Sequence, residues 1–225
     1  MMCVHLTLEI LEAAAATNVS IERVVITSSV AGIISPMAFG GSEPQDPDHP
    51  FTSSSRVPLM KPPFAHPSIA YIASKVASLE VTETWAKETN PGFGIVNIHL
   101  SWVLGPTAWA GEEYEVLLKK GNRLVLNTIV QGNKSPFPHM TRAIVRGCRS
   151  FIASTPGAWE DIPGIVRKNF VEELQSEPKR VTVLGEQTSI PLGIESSDTV
   201  VAFGWKFTDL EQTITDLISQ YIELK

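Results

Sequence analysis

One short apolar run limits what this chain can fold into more than any other feature. Residues 24–27 are all β-branched (Val-Val-Ile-Thr), and Ser28 and Ser29 follow them directly. A continuous run of this kind is typical of a strand buried on both faces of a parallel sheet. In α/β proteins, the carboxyl end of such a strand lines the crevice that binds ligands. The sequence therefore predicts a serine hydroxyl that can hydrogen-bond a substrate carbonyl oxygen as charge develops on it.

A phenol and an ammonium group lie four residues apart in the stretch 69–75, at Tyr71 and Lys75. Side chains at i and i+4 share one face of a helix, so the cation can lie beside the hydroxyl and favour its phenolate form. Such a pair is suited to exchanging a proton with a substrate oxygen. Tyr221 and Lys225 have the same spacing, but no β-branched run ending in serines precedes them. The context therefore favours Tyr71.

Three motifs follow one another along the chain. They are Thr27-Ser28-Ser29, then Tyr71 with Lys75, then Val103-Leu104-Gly105-Pro106. Together they resemble the short-chain dehydrogenase/reductase superfamily, and most closely its extended, epimerase/dehydratase-like branch. That branch includes dihydroflavonol, cinnamoyl-CoA and fungal aldehyde reductases. The resemblance runs from residue 1 to the stretch 203–211 and is loosest between residues 110 and 195.

The resemblance implies an α/β fold with a Rossmann-like parallel sheet and a smaller C-terminal substrate domain. It places residues 1–107 and 141–157 in what remains of a dinucleotide-binding domain. Residues 108–140 and 158–225 would form the substrate-binding part. Full-length relatives often dimerise through the helix that carries the tyrosine, so a homodimer is expected as well.

The implied reaction is hydride transfer between NAD(P)H and a ketone or aldehyde, or the reverse oxidation of the alcohol, in secondary metabolism. Tyr71 would be the general acid/base, and Lys75 would tune it and hold the nicotinamide ribose hydroxyls. Ser29 would hydrogen-bond the substrate oxygen. Ser28 remains the alternative, because the doubled serines leave the alignment open by one residue. The backbone of Val103 would contact the nicotinamide carboxamide.

The glycine-rich phosphate turn of this family is not found in the sequence. Neither G-x-x-G-x-x-G nor G-x-G-x-x-G occurs, although Gly92 and Gly94 begin such a pattern. That turn cradles the cofactor pyrophosphate at a helix N-terminus, and the residue that reads the adenosine ribose belongs to the same region. The chain thus resembles the C-terminal two-thirds of a family member, and the choice between NAD and NADP stays open.

Two alternatives to a reductase remain. Without a phosphate turn, the chain could be a non-catalytic relative or a fragment that binds no cofactor. A nucleotide-sugar epimerase or dehydratase would use the same tyrosine and lysine. Cofactor binding separates the first alternative from an enzyme, and NAD retained through purification would indicate the second.

Composition limits the classes of molecule that this chain is expected to bind. The chain has 24 acidic and 18 basic residues, a net charge of -6, which argues against nucleic acid or an anionic membrane as the main partner. Glu9 and Glu12 interrupt the first apolar run and no basic region precedes it, so we expect no signal peptide and a cytoplasmic protein. Cys3 and Cys148 lack metal-ligand spacing, so we expect no metal site. The expected partner is a small-molecule carbonyl or alcohol.

The N-terminal half predicts two helices and two strands around a long loop. We expect a helix over 1–17, the serine-bearing strand, a helix over 68–89 that Asn90-Pro91-Gly92 ends, and a strand over 95–100. The proline-rich segment 36–67 excludes a long helix or a central strand. Within it, we interpret His49 and His66 as solvated loop residues. His99 lies where the family usually has the asparagine of an Asn-Pro pair. We interpret it as a strand histidine with both nitrogens satisfied.

The C-terminal half is less clearly patterned. Residues 112–126 and 141–153 have helical periodicity, with the arginines of the second stretch on a solvated face. Residues 180–184 resemble a short strand. The last helix is the best defined, because Thr208 and Glu211 form a capping box at its start.

Overall fold

The structure, a computed structural model, describes residues 2–17, 20–43, 46, 48–108, 117–118, 121–126, 149–155, 157–184, 189–190, 192–204 and 206–225. Its elements in chain order are α1 (Met2–Ala16), β1 (Arg23–Ser29), a 3-10 turn (Val30–Gly32), α2 (Pro36–Phe39), α3 (Pro67–Thr89), β2 (Gly94–Leu100), α4 (Asn122–Val125), β3 (Arg149–Ala153), α5 (Asp161–Asn169), α6 (Val171–Gln175), α7 (Ser197–Phe203) and α8 (Leu210–Leu224).

The chain divides into two compact units. Unit 1 comprises Met1–Ser101, Arg142–Ser154 and Leu192–Trp205. Unit 2 comprises Trp102–Thr141, Thr155–Pro191 and Lys206–Lys225. Among the described helices, none is both long and apolar enough to cross a membrane.

A parallel sheet in the order β1-β2-β3 is the centre of unit 1, so the predicted α/β class is confirmed. The β1–β2 pairing runs from Arg23 opposite Gly94 to Ser29 opposite Leu100. The β2–β3 pairing ends with Leu100 opposite Ala153. Because the strands are parallel, their carboxyl ends meet at one edge of the sheet. Ser29 lies at that edge.

Helix α3 begins and ends where its flanking residues predict, within one residue of the expected range. Its first residue is Pro67, and the His66 ring accepts a hydrogen bond from the Ser68 N–H at 3.2 Å. Asn90 ends the helix in the left-handed conformation, with φ 44°. The inner face of α3 packs on the 3-10 turn, where Ala31, Ile72 and Val76 form a buried cluster.

The sequence predicts that strand β1 is buried on both faces, but in the structure it is not. It is the outer strand of the described sheet, and Val25 is 55% exposed. A run of β-branched residues favours a strand, but burial depends on which neighbours cover it. The strand prediction is therefore right and the burial prediction wrong.

Before Pro67, the one-turn α2 is the only helix in the described part of the proline-rich segment, in line with the prediction. The Arg56 guanidinium joins this segment to α3. Its Nε donates to the Glu83 carboxylate at 3.1 Å, and its Nη1 donates to the Ser53 carbonyl at 2.5 Å. The segment is thus attached to the helix that carries Tyr71.

Unit 2 is held together by α5 and α8, which pack around a shared apolar core. Its members include Trp159, Ile162, Val166, Ile214, Leu217, Ile218 and Tyr221. The predicted capping box at the start of α8 is wrong by one residue. The cap is Asp209, whose carboxylate accepts from the Gln212 N–H at 2.8 Å, while Glu211 bonds Lys168 and Asn169 instead.

Three other expectations for the C-terminal half fail or lie partly outside the described residues. The helix predicted over 141–153 is wrong for its last five residues, which form β3 because they pair with β2. Residues 180–184 do not form a strand. Of the helix predicted over 112–126, the structure describes 117–118 and 121–126, and of these only residues 122–126 are helical.

Candidate active site

Ser29 closes β1 and caps the 3-10 turn that follows. Its hydroxyl oxygen accepts a hydrogen bond from the Ala31 N–H at 3.2 Å. A serine hydroxyl has two lone pairs and one proton, so this bond leaves the proton free for a further acceptor. The hydroxyl is therefore prepared to donate to a substrate oxygen.

Tyr71 and Lys75 lie one turn apart on α3, close to one another as their spacing predicts. The Lys75 ammonium lies 5.6 Å from the centre of the Tyr71 ring. The Tyr71 side chain is 51% exposed, so its hydroxyl can reach a molecule outside the fold. The two groups can therefore act together on one ligand.

The 3-10 turn brings Ser29 towards this part of α3. A Cβ added at Gly32 would lie 3.3 Å from the Lys75 carbonyl oxygen, so the turn and the helix backbone are in direct contact. Ala31 packs against Ile72, the residue after Tyr71. The structure thus brings the turn beside Ser29 against the helix segment that carries Tyr71 and Lys75.

Ser28 occupies a different position from Ser29. It pairs with His99 across the β1–β2 ladder. Successive side chains of a strand point to opposite faces, so the Ser28 and Ser29 hydroxyls diverge. The two serines are consequently not interchangeable in this fold.

His99 is fully buried beside Ser29, and the interpretation of two satisfied nitrogens is only half right. Its Nδ1 lies 3.0 Å from the Ser29 carbonyl oxygen. Its Nε2 is buried and has no hydrogen-bond partner among the described residues. Burial lowers the pKa of His99 to about 4, and the bond to the Ser29 carbonyl opposes that shift. The ring is therefore neutral at pH 7.

Sequence reasoning identified His99 as a strand residue but missed its bond to Ser29. The available signal was a polar ring in an otherwise apolar strand, at the same end of the sheet as the serines. That signal does not reveal the partner, because the two residues are 70 positions apart in the chain.

Val103 belongs to unit 2, whereas Ser29, Tyr71 and Lys75 belong to unit 1. Its side chain is 68% exposed. Two residues further on, Gly105 has φ 128°, a value that side chains rarely permit. The Asn122 amide fixes this turn, donating to the Gly105 carbonyl at 2.7 Å and accepting from the Gly105 N–H at 3.1 Å. The backbone after Val103 is thus held rigidly within its own unit.

The loop histidines have structural roles. The His49 ring pairs with the Asp46 carboxylate at 2.5 Å, and this bond lowers the pKa of Asp46. The His66 ring caps α3. In the described part of the chain, no group of three or more His, Cys, Asp or Glu side chains could hold a metal ion.

The chain is similar to curated reductases over almost its whole length. It is 32% identical to ketoreductase CTB6 from Cercospora beticola over 240 aligned positions, which cover 96% of this chain and 64% of the relative. The chain therefore spans less than two thirds of the length of that relative. No protein-family model matches it.

Solved structures of reductases share the fold. The NADPH complex of Gre2 from Candida albicans matches 99% of this chain and 70% of its own, with a TM-score of 0.74 and 18% identity. The NADPH complex of yeast methylglyoxal/isovaleraldehyde reductase Gre2 matches with a TM-score of 0.70 and 19% identity, over 98% of this chain and 70% of its own. These similarities show that the chain has the fold of these reductases.

Proposed function

We propose that this chain takes part in the NADPH-dependent reduction of a ketone or aldehyde, with Ser29, Tyr71 and Lys75 of unit 1 as the groups that act on the substrate oxygen. The observation that carries the proposal is the contact between the turn after Ser29 and the α3 segment of Tyr71 and Lys75. This contact supports a site in which a hydroxyl donor, a phenol and a cation act on the same substrate oxygen.

In the proposed reaction, NADPH supplies a hydride to the carbonyl carbon of the substrate. The Ser29 hydroxyl donates a hydrogen bond to the carbonyl oxygen, where negative charge develops. The Tyr71 phenol gives its proton to that oxygen as the alcohol forms, and solvent returns the proton afterwards. Lys75 stabilises the phenolate left on Tyr71 by its positive charge.

The residues present suit the nicotinamide end of the cofactor. The Lys75 ammonium and the partly exposed Tyr71 hydroxyl are both donors that can hold ribose hydroxyls. By the family resemblance, the backbone of Val103 is the proposed contact for the carboxamide. The glycine-rich turn that would hold the pyrophosphate is not among the 225 residues of this sequence.

The relatives support reduction over the other reactions of the family. The curated relative is a ketoreductase, and both solved neighbours are reductases with NADPH bound. We accordingly propose NADPH as the cofactor, a small carbonyl compound as the substrate and a cytoplasmic location.

The test combines cofactor binding with turnover. The full chain is titrated with NADPH, and NADPH consumption is then followed with methylglyoxal, isovaleraldehyde and an aromatic ketone. Micromolar affinity, about 8 kcal/mol, with carbonyl-dependent consumption supports the proposal. No binding at millimolar NADPH would contradict it and favour a non-catalytic relative.

We also propose a homodimer that forms through α1 and α3. Leu6 and Ile10 on α1 are 48% and 62% exposed, and α1 packs beside α3 within unit 1. Large apolar side chains near each other on a surface favour association. Light scattering on the full chain should give twice the monomer mass, and a monomer at all concentrations would refute the dimer.

A further inference from the structure

His99 is placed to control the backbone of Ser29. It stands next to Leu100, the residue paired with Ser29, and its ring is completely buried. The 3.0 Å separation between its Nδ1 and the Ser29 carbonyl oxygen is a hydrogen-bond distance. A carbonyl oxygen can only accept, so Nδ1 must carry the proton and Nε2 the lone pair.

Two hydrogen bonds then fix Ser29, one at its side chain and one at its backbone carbonyl. The Ala31 N–H holds the hydroxyl oxygen at 3.2 Å, and the His99 Nδ1–H holds the carbonyl oxygen at 3.0 Å. The first bond orients the side chain relative to the turn. The second orients the peptide plane that links β1 to the turn. Together they set the direction in which the remaining hydroxyl proton can point.

We propose that His99 is a positioning residue for Ser29, acting through its Nδ1–H bond to the Ser29 carbonyl. This inference rests on the proposed function, since it assigns Ser29 a hydroxyl that must be aimed at a substrate. His99 does not itself touch the substrate, because its ring is enclosed by the fold.

The electrostatics of the site support a fixed, neutral ring. Desolvation is the largest influence on His99 and disfavours its charged form. The charges of Arg56 and Lys75 act in the same direction, and the charge of Glu83 opposes them. With its pKa lowered to about 4, His99 stays uncharged throughout the neutral range.

The chain allows a matched set of variants. His99→Asn keeps an N–H at the position of Nδ1 but removes Nε2, and His99→Leu removes the donor altogether. Ser150→Ala is the control, because Ser150 is equally buried on the neighbouring strand and its hydroxyl has no partner among the described residues. Each full-length variant is ¹⁵N-labelled, and the exchange rate of the Ala31 amide proton is measured by NMR.

The proposal predicts that His99→Leu accelerates exchange of the Ala31 amide by about tenfold or more, because the turn loosens. His99→Asn should restore slow exchange, and Ser150→Ala should not change it. In wild-type protein, the imidazole spectrum should place the proton on Nδ1. Equal acceleration in the Asn and Leu variants, no acceleration in either, or a proton on Nε2 would overturn the proposal.

Turnover gives a second readout that a purely structural role would not produce. His99→Leu should lower kcat by about tenfold to 100-fold while the KM for NADPH stays unchanged, because only the orientation of the Ser29 hydroxyl is lost. An equal loss in His99→Asn would contradict the role of the donor. If the wild-type chain shows no turnover, the proposed function fails, and the exchange rates still decide the role of His99.

Discussion

At the scale of single residues, the state of the Ser29 hydroxyl is the most informative detail. Its oxygen accepts from the Ala31 N–H, and its proton remains available. Ser29→Ala should lower kcat by about 100-fold, the loss typical of removing a donor to a developing oxyanion. It should also destabilise the fold by about 1 kcal/mol, since the Ala31 amide loses its partner. Steady-state kinetics and urea unfolding measure the two effects.

The variant Ser28→Ala tests which of the two serines hydrogen-bonds the substrate oxygen. The Ser28 side chain points to the other face of β1, so its loss should reduce kcat by less than about tenfold. A larger loss in Ser28→Ala than in Ser29→Ala would reverse the assignment.

The residue scale also shows what a sequence can and cannot reveal. The closeness of Tyr71 and Lys75 can be predicted because it depends only on helical spacing. The serine-bearing strand upstream distinguishes this pair from Tyr221 and Lys225, which have the same spacing. The bond from His99 to Ser29 depends on how two strands align. No local pattern contains that alignment, so the bond appears only in the folded chain.

At the scale of elements, the start of α4 controls the backbone at Val103. A Cβ at Gly121 would lie 2.5 Å from the Val103 carbonyl oxygen, too close for any ordinary contact. Gly121→Ala should therefore displace that backbone, lower the free energy of unfolding by about 1–3 kcal/mol and weaken NADPH binding. Urea unfolding and an NADPH titration test both effects.

Gly164→Ala is the matched control within the same unit. Gly164 lies inside α5, and no atom stands within 4 Å of a Cβ added there. Alanine should stabilise this helix by about 0.5–1 kcal/mol and leave NADPH affinity unchanged. If both variants behaved alike, crowding at Val103 would not explain the effect of Gly121→Ala.

Elements with strong terminal signals were predictable, and elements defined by pairing were not. Helix α3 lies between Pro67 and the left-handed Asn90, so its limits follow from local chemistry. The strand β3 lies at the end of a stretch with helical periodicity, but pairing with β2 decides its conformation. At α8 the sequence predicts Thr208 as the cap, and the structure uses the neighbouring Asp209 instead.

At the scale of the whole molecule, His99 should make stability depend on pH. Its pKa is about 4 in the folded chain, lowered mainly by burial, and about 6.5 when unfolded. Below pH 6.5 the unfolded chain therefore binds a proton that the folded chain does not. Lowering the pH from 7 to 5 should cost about 2 kcal/mol of unfolding free energy through this one group.

Urea unfolding at the two pH values tests this dependence, with His99→Asn as the comparison. The variant should lose about 2 kcal/mol less than the wild type over the same interval, because every other titrating group is shared. Equal losses in the two proteins would mean that His99 is as easily protonated in the folded state as in the unfolded one.

The α/β class follows from the sequence at this scale, because a β-branched run between helical segments specifies a parallel sheet. The exposure of Val25 cannot be predicted in this way, because the burial of a strand depends on the elements that pack on it and not on its own residues. The glycine-rich turn is a local motif, so its absence from these 225 residues was visible from the sequence alone.

The most direct test of the central claim is the turnover of Tyr71→Phe beside that of Tyr221→Phe, with NADPH binding measured for both. Tyr221 is a fair comparison: it has its own lysine, with the Lys225 ammonium 5.4 Å from its ring, but it is buried in the core of unit 2. Tyr71→Phe should lose about 100-fold or more in kcat while still binding NADPH, because only the proton donor is removed. Tyr221→Phe should keep wild-type turnover. Equal turnover in the two variants would contradict the assignment of Tyr71 as the proton donor.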